Sequence, residues 1–533
     1  MVINETLAVT QIGFPILSVL IWLPALAAAV LAFLRNDSLA RNIALAVAAV
    51  ELVLALVVVA NFVPGVADLQ FSEKSEWMAT LGAGYHLGVD GLSVLFLPLT
   101  AFVMLLIVVY AGSVKLHGRF YLMNLLLLEA ATIGIFCSLD MVLFYVFYEL
   151  ALVPSFFLIK LWGLGSQRQY AGIKYLTYML VGSAPLLIGI ILLGLNYNDF
   201  LEAKGQAGAY SFDWVTLMGV PVDPRTQTLV FFLLAAGFAV KGPVLPFHTW
   251  MPTAVMEGPI GMGVYLVGLK IGAYGFLRFV LPLVPDASRE WFWLMSAFGL
   301  LAILYGGLIA LVQPNFRRLI AFASISHMGL VIVAMFSFNT QGIQGALMLM
   351  INAGIATAGL LFVAGFLHKR LGTTELSALG GLAKQVPQLA TFCFIAGLAL
   401  IGMPGTSGFN GEFLAMTGAF QAHWALGAVA ALGVILSAAY FLWYYERAFF
   451  GPVANPSAAR LKDLSATEMT IALPVMALVF VVGFYPKPLL DITSGSVATL
   501  ERRIQVGALP AAPKLAVAPV AVPAPAPTIE VAK

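Results

Sequence analysis

The sequence predicts an all-α integral membrane protein of about fourteen transmembrane helices, and three observations predict it. The first is composition. Of 533 residues, 61% are hydrophobic and only 10% charged, with a mean hydropathy of +0.97. A soluble chain is usually about 45–50% apolar and about 25% charged, so this chain needs lipid as its main solvent. The second is length. About 20 apolar residues cross the hydrocarbon core, and windows of that kind lie near 12–34, 43–62, 92–114, 120–138, 141–162, 175–196, 228–247, 260–281, 291–313, 318–338, 343–367, 389–420, 425–450 and 468–485. The third is charge order. Arg35 and Arg41, Lys115 and Arg119, Arg168 and Lys174, Arg317 and Arg318, Lys369, Arg370 and Lys384, then Arg447, Arg460 and Lys462 fall in alternate connections. The intervening connections carry few basic residues, diluted by Asp68, Glu73, Glu76, Asp199, Glu202, Asp213 and Asp223. The positive-inside rule then places both termini on the outer side.

Taken in order, the first window lacks a basic leading segment and is long enough to span, so it reads as a helix and not as a cleaved leader. The windows at 228–247 and 389–420 are interrupted by prolines and glycines. Counting spans, these are the seventh and twelfth, the fourth members of two consecutive five-helix groups, 4–8 and 9–13. Paired broken spans in corresponding places point to two inverted repeats with ion sites at the breaks. The organisation expected is residues 1–118 as three helices and an outside loop, 119–281 and 290–451 as the repeats, and 452–508 as a last helix with a surface segment. Residues 509–533 are rich in proline and alanine, as in Val522-Pro523-Ala524-Pro525-Ala526-Pro527, and read as a disordered tail.

Some function classes fall away at once. A formal net charge of +2 with no basic patch interleaved with aromatics argues against nucleic acid. Cys137 and Cys393 sit singly inside apolar runs, form no ligand cluster, and read as small buried side chains, which argues against a zinc or iron–sulfur site.

The informative residues are ionisable ones far from the span ends, where a charge is costly and functional by default. Glu149 stands among Phe147, Tyr148, Leu150 and Leu152; its plainer reading is a structural hydrogen-bonding acid. Lys241 follows about twelve apolar residues, hence about 18 Å of helix, and precedes Pro243 and Pro246, which break the helical ladder. Broken backbone at membrane depth survives only where protein or water satisfies it. A lysine in apolar surroundings takes up and releases a proton readily. Lys270 lies among Gly268, Gly272 and Gly275, whose small size suits close helix packing; its plainer reading is a tether to a neighbouring acid. Glu412 follows the break at Pro404-Gly405. His327 falls inside a span and can shuttle protons near neutral pH, although a lone buried histidine is more often a packing residue. His248 follows the first break beside Thr249 and Trp250, which suit a membrane interface.

The ordered set Tyr148-Glu149-Leu150 with Val153-Pro154, Trp162-Gly163, Val240-Lys241-Gly242-Pro243 through Pro246-Phe247-His248-Thr249-Trp250 and Pro252, Ser324-Ile325-Ser326-His327-Met328-Gly329, and Pro404-Gly405 through Gly411-Glu412-Phe413 resembles the antiporter-like subunits of complex I, the NADH:quinone oxidoreductase. Leu87-Gly88-Val89-Asp90-Gly91-Leu92-Ser93 and Ala321-Phe322-Ala323-Ser324 are similar to the subunit M (chain 4) type. The resemblance runs from about residue 12 to about residue 490. It implies a proton-translocating subunit with no cofactor of its own, working beside other membrane-arm subunits, including neighbouring antiporter-like ones, and membrane lipid. Quinone, FMN and iron–sulfur clusters would belong to partner subunits, and electrons would come from NADH or ferredoxin. A glutamate like Glu149 would pair with a lysine like Lys241. A lysine like Lys270 would lead on to a terminal acid like Glu412, with His327 and His248 lining the way. A bacterial inner membrane with periplasmic termini follows, with a thylakoid membrane as the alternative. The competing readings are a subunit of a multisubunit sodium/proton antiporter, a membrane-bound hydrogenase subunit, or a passive scaffold; the last predicts loss of the buried charges, and all are present. Two departures stand out. Thr253-Ala254-Val255 replaces the family's Asp-Ala-His, and the interval from Pro259 to Lys270 is about two residues short, which bears on the register of Lys270.

Overall fold

A computed structural model describes residues 4–112, 117–453, 455 and 458–507. Lys115 and the expected tail, 509–533, lie outside the described residues. The main helices, in chain order, are α1 (Ile16–Phe33), α2 (Asp37–Ala60), α3 (Phe96–Ala111), α4 (Gly118–Cys137), α5 (Met141–Leu150), α6 (Leu152–Trp162), α7 (Arg168–Ala203), α8 (Pro224–Lys241), α9 (Trp250–Glu257), α10 (Ile260–Gly268), α11 (Ile271–Gly275), α12 (Phe292–Leu311), α13 (Phe316–Met335), α14 (Thr340–Asn352), α15 (Ala358–Leu371), α16 (Pro387–Leu400), α17 (Ser407–Ala422), α18 (Trp424–Phe449), α19 (Ala466–Phe484) and α20 (Lys487–Val506). Helix overlies every apolar window. Among the described residues 11 helical stretches are long and apolar enough to cross a membrane, and α3 and α16 are shorter apolar helices.

Local chemistry sets the helix starts. Asn36, Asp140 and Asn315 each accept two backbone N–H bonds at the heads of α2, α5 and α13, satisfying donors that the first turn leaves free. Asp223 caps α8 ahead of Pro224, and Ser465 with Glu468 forms a capping box on α19.

Connections gather on two faces. On one, Arg317 donates to the carbonyls of Val255 and Gly258, Asn315 bonds Glu375, and Arg370 pairs with Glu468. On the other lies a small three-stranded sheet: β1 (Glu5–Leu7) parallel to β2 (Leu69–Met78), itself antiparallel to β3 (Ala83–Val89). This small sheet is an addition to the expected helical fold. The strands are ten residues or shorter, and β2 runs from a buried first half to an exposed second half, so spanning windows pass over them. The expected short surface segment at 488–506 is a full helix, α20, held to the sheet's face where Gly91 N–H donates to Ser496 and Arg503 donates to the Pro282 carbonyl.

Burial separates core from perimeter. The most apolar 18 residues of Ile260–Leu283 are 94% buried and those of Thr340–Leu371 fully so, whereas those of α18 and α19 are 33% buried, leaving their outer sides apolar toward lipid. Both core stretches carry a π-helical turn, Phe276–Val280 and Ala353–Thr357, a feature that frequents functional sites.

Candidate functional site

The expected breaks exist, and there is a third that window reading takes as continuous. α8 ends at Lys241, and Gly242 to Thr249 form an irregular link to α9. α16 ends at Leu400, and six residues of turn precede α17. In addition α10 stops at Gly268, and Lys270 takes a non-helical conformation before α11 resumes. The physical reason is contact. A Cβ on Gly272 would stand 2.5 Å from Gly242 Cα and from the Phe238 carbonyl oxygen, so only glycine lets the two breaks touch. The shorter interval before Lys270 therefore does not displace it from the interior: Lys270 is buried.

From that contact a line of polar groups can be followed. Glu149 ends α5, half-buried, and Lys241 is the opposite charge that acts on it. The two are neighbours and form no direct ion pair among the described residues. The Lys241 ammonium instead lies over the Tyr148 ring, 3.5 Å from its centroid, and donates to the Tyr148 carbonyl at 2.9 Å. An ammonium on an aromatic face keeps part of its stabilisation without a carboxylate. Beyond the Gly242–Gly272 contact, Lys270 Nζ donates to Ser324 Oγ on α13. His327 sits one turn further on the same helix, on the same side as Ser324. Its Nδ1 is 4.0 Å from Glu412 Oε1, and its Nε2 shares a 3.3 Å hydrogen bond with Tyr440 Oη.

Glu412 stands on the second turn of α17, and the break folds back onto it. Gly402, with φ +65°, leaves no room for a Cβ, which would lie 2.6 Å from Glu412 Cδ. One carboxyl oxygen, Oε2, is buried without a hydrogen-bond partner. Beside it lies a cavity of about 10 Å³ lined by Ser326, His327, Glu412 and Ser437 together with apolar groups. That is the scale of one water, placed between an acid and a histidine.

His248 is set apart. It is buried, its ring meets Tyr305 edge-on at 5.0 Å, and its Nδ1 has no partner; neither lysine touches it. Trp250 corrects another expectation. It is buried and donates from Nε1 to the Val240 carbonyl at 2.9 Å, bracing the break where an interface anchor was expected. The altered loop is anchored by its own residues: Lys174 donates to Thr253 at 3.2 Å, and Val255 accepts from Arg317.

Several buried groups escape a reading confined to four charges. Arg278 is fully enclosed and makes a two-pronged bond to Asp90, 2.9 and 2.6 Å, with a third bond to Tyr274. Glu51 and Glu129 are also fully buried. The rule that singled out Glu149, applied to windows 43–62 and 120–138, finds both acids. Ser324 and Tyr440 carry no charge and give no such signal. Among the described residues no group of three or more His, Cys, Asp or Glu side chains forms a metal-holding cluster.

A family model described as NADH:quinone oxidoreductase/Mrp antiporter, TM, matches residues 138–437. NADH-quinone oxidoreductase subunit M of Rhodobacter capsulatus is 37% identical over 499 residues, covering 91% of this chain and 96% of that protein. NADH-ubiquinone oxidoreductase chain 4 of Arabidopsis thaliana is 36% identical, with 91% and 96% covered. A chain of respiratory complex I from Thermus thermophilus with bound NADH superposes with a TM-score of 0.81 at 31% identity, over 91% of this chain and 99% of that one. A chain of an Mrp complex from Dietzia gives 0.79 at 22% identity, over 92% and 98%, a likeness of fold alone.

Proposed function

The chain belongs to the NADH:quinone oxidoreductase/Mrp antiporter family as an antiporter-like, proton-translocating membrane subunit of the complex I M (chain 4) type, and on that premise we propose that its protons move along the line Glu149, Lys241, Lys270, His327, Glu412. It works in a membrane arm beside other antiporter-like subunits. One observation carries the residue assignment. Ionisable groups from four distant stretches of sequence are brought into one region: Lys241 beside Tyr148 and Glu149, the Gly242–Gly272 backbone contact between the Lys241 and Lys270 breaks, Lys270 on Ser324, and His327 4.0 Å from Glu412. Charges in such surroundings are costly to keep without a task.

The chemistry follows from the contacts. Lys241 rests its charge on the Tyr148 face, with the Glu149 carboxylate as the opposite charge beside it. An approaching carboxylate makes it hold its proton, and a receding one makes it release. A proton released toward Lys270 meets an ammonium or amine fixed by the Ser324 hydroxyl. From there His327, bonded to Tyr440 through Nε2 and with Nδ1 4.0 Å from Glu412 across a water-sized cavity, can accept on one side and give on the other. Glu412, with one free oxygen at a water-sized cavity, suits the terminal position. His248 lies off this succession and is read as a side group near Tyr305.

In the same reading the chain has fourteen spans, with inverted repeats at 119–281 and 290–451 whose fourth helices are the broken pairs α8–α9 and α16–α17, flanked by 1–118 and 452–508. Electrons from NADH or ferredoxin pass through FMN and iron–sulfur clusters to quinone in partner subunits, and the redox energy reaches this chain mechanically. The membrane is a bacterial inner membrane, with a thylakoid as the alternative, and the sheet and α20 face outward.

The test is Lys241→Ala in the assembled complex, reconstituted in vesicles, with electron transfer and proton translocation read separately. Assembly is expected to persist and protons moved per electron to fall. An unchanged ratio in assembled complexes would remove Lys241 from the line.

A further inference from the structure

Two acids outside that line are enclosed more completely than any residue on it. Glu51 lies midway along α2 and Glu129 midway along α4, and both have no exposed surface. All four of their carboxyl oxygens lack a hydrogen-bond partner among the described residues. Neither takes part in an ion pair among those residues. Their helices α2 and α4 pack against each other, and the charged group that acts on Glu51 is Glu129 itself. Since this chain encloses both side chains, a neighbouring subunit or a lipid headgroup does not reach them to supply a counter-charge.

The energetics leave one economical state. A bare carboxylate in apolar surroundings costs far more than a neutral acid, and two bare carboxylates within reach of each other cost more again. A proton on the pair removes most of that cost. Replacing both acids by leucine would remove the rest, so their presence calls for a use.

One hydroxyl pair lies between α4 and the helix that carries the line. Thr132 is one turn past Glu129 and on the same side of the helix. Its hydroxyl donates to the Leu128 carbonyl at 2.7 Å and shares a 2.9 Å hydrogen bond with Tyr265 Oη. Tyr265 is on α10, the helix that ends at the Lys270 break. Hydroxyls in series pass a proton by taking one and giving up their own, so neither Thr132 nor Tyr265 ends ionised.

We propose that Glu51 and Glu129 form a second proton-holding site, a carboxyl pair that stores at least one proton beside the main line and exchanges it with the Lys270 break through Thr132 and Tyr265. Storage needs only the pair. Exchange rests on Lys270 belonging to the line, so the two halves are tested apart.

The experiment uses the whole complex, checked for assembly, and reads the infrared carbonyl stretch of protonated carboxylic acids at neutral pH, before and after transfer to D2O. Wild type is expected to show a buried acid band that E51Q/E129Q lacks. Tyr265→Phe is expected to keep the band but exchange its proton for deuterium several-fold more slowly. A spectrum unchanged by the double substitution overturns storage. A band that exchanges as fast in Y265F as in wild type overturns the route while leaving the main line untouched. Should the double variant not assemble, E51Q serves: the remaining Glu129 acid loses its neighbour and its band shifts, and an unshifted band rejects the pair.

Discussion

Gly272→Ala places one methyl group where the two lysine breaks touch. Its carbon would stand 2.5 Å from Gly242 Cα and 2.5 Å from the Phe238 carbonyl oxygen. Carbon atoms in ordinary contact keep about 3.5 Å or more, so α8 and α11 must part by about 1 Å. The obstacles are backbone, which does not swing aside as a side-chain tip does. Overpacking of this kind costs about 1–3 kcal/mol, enough to lower thermal stability without preventing assembly. The functional effect is expected to be larger than the structural one. Lys241 and Lys270 lie on opposite sides of the contact, and about 1 Å of misplacement at a reacting geometry costs up to about a hundredfold in rate. The assay is vesicle-reconstituted complex, with electron transfer, proton translocation and melting measured on the same preparation. Gly189→Ala is the control. Its Cβ would meet first the tip of Leu234, at 2.9 Å, a side chain able to shift. Proton translocation is expected to fall steeply in G272A and to hold in G189A. A G272A complex that melts earlier but moves protons at the wild-type ratio would refute the reasoning that the contact joins the two halves of the line.

Other outcomes follow from individual contacts. Glu412→Gln keeps the shape beside Gly402 but cannot carry charge, so protons moved per electron should fall in an assembled complex; a wild-type ratio would take Glu412 off the line. Arg278→Met leaves Asp90 buried without its partner, a loss of about 3–5 kcal/mol, whereas R278M with Asp90→Leu should recover most of it; melting of the two variants decides, and equal stabilities would contradict the pairing. On the outer face burial alone would raise the Asp213 carboxyl, but bonds and charge from His86 and Lys74 outweigh it and hold the group well below its ordinary value. A depressed acid contributes stability that is complete above the unfolded value, about 3.9, and is lost as pH falls through the folded one. The melting difference between wild type and Asp213→Asn should therefore be constant from mildly acidic to neutral pH and shrink only below about pH 4; a difference that vanishes near neutrality would contradict it.

Much of the site could be read before any fold was known, because a charge in a bilayer must be conspicuous. Lys241 and Glu412 stood out by distance from span ends and by the Pro and Gly residues next to them, and both breaks are present. What could not be read was which polar groups touch. Ser324 holds Lys270 and Tyr440 holds His327, yet a serine or tyrosine in an apolar run is common and carries no signal. The break at Lys270 was hidden because Gly268 and Gly272 read as packing residues; only the approach of Gly242 shows that they permit an interruption. Trp250 has the composition of an interface anchor and instead bonds across a break, a choice made by the position of Val240. The sheet escaped because averages over about 20 residues pass over strands of ten residues or fewer.

The sequence by itself determined that the chain spans a membrane repeatedly, that the stretches around Lys241 and ahead of Glu412 are interrupted, and which ionisable groups must earn their place inside. Those facts follow from the solvent: hydrocarbon accepts only long apolar helices and penalises every charge alone. Tertiary structure decided the order of contacts. Lys241 rests on Tyr148, the breaks meet through two glycines, His327 lies between Glu412 and Tyr440, and Glu51 and Glu129 sit buried on packed helices without hydrogen-bond partners among the described residues. Such pairings depend on how helices far apart in sequence cross, and no local pattern encodes a crossing.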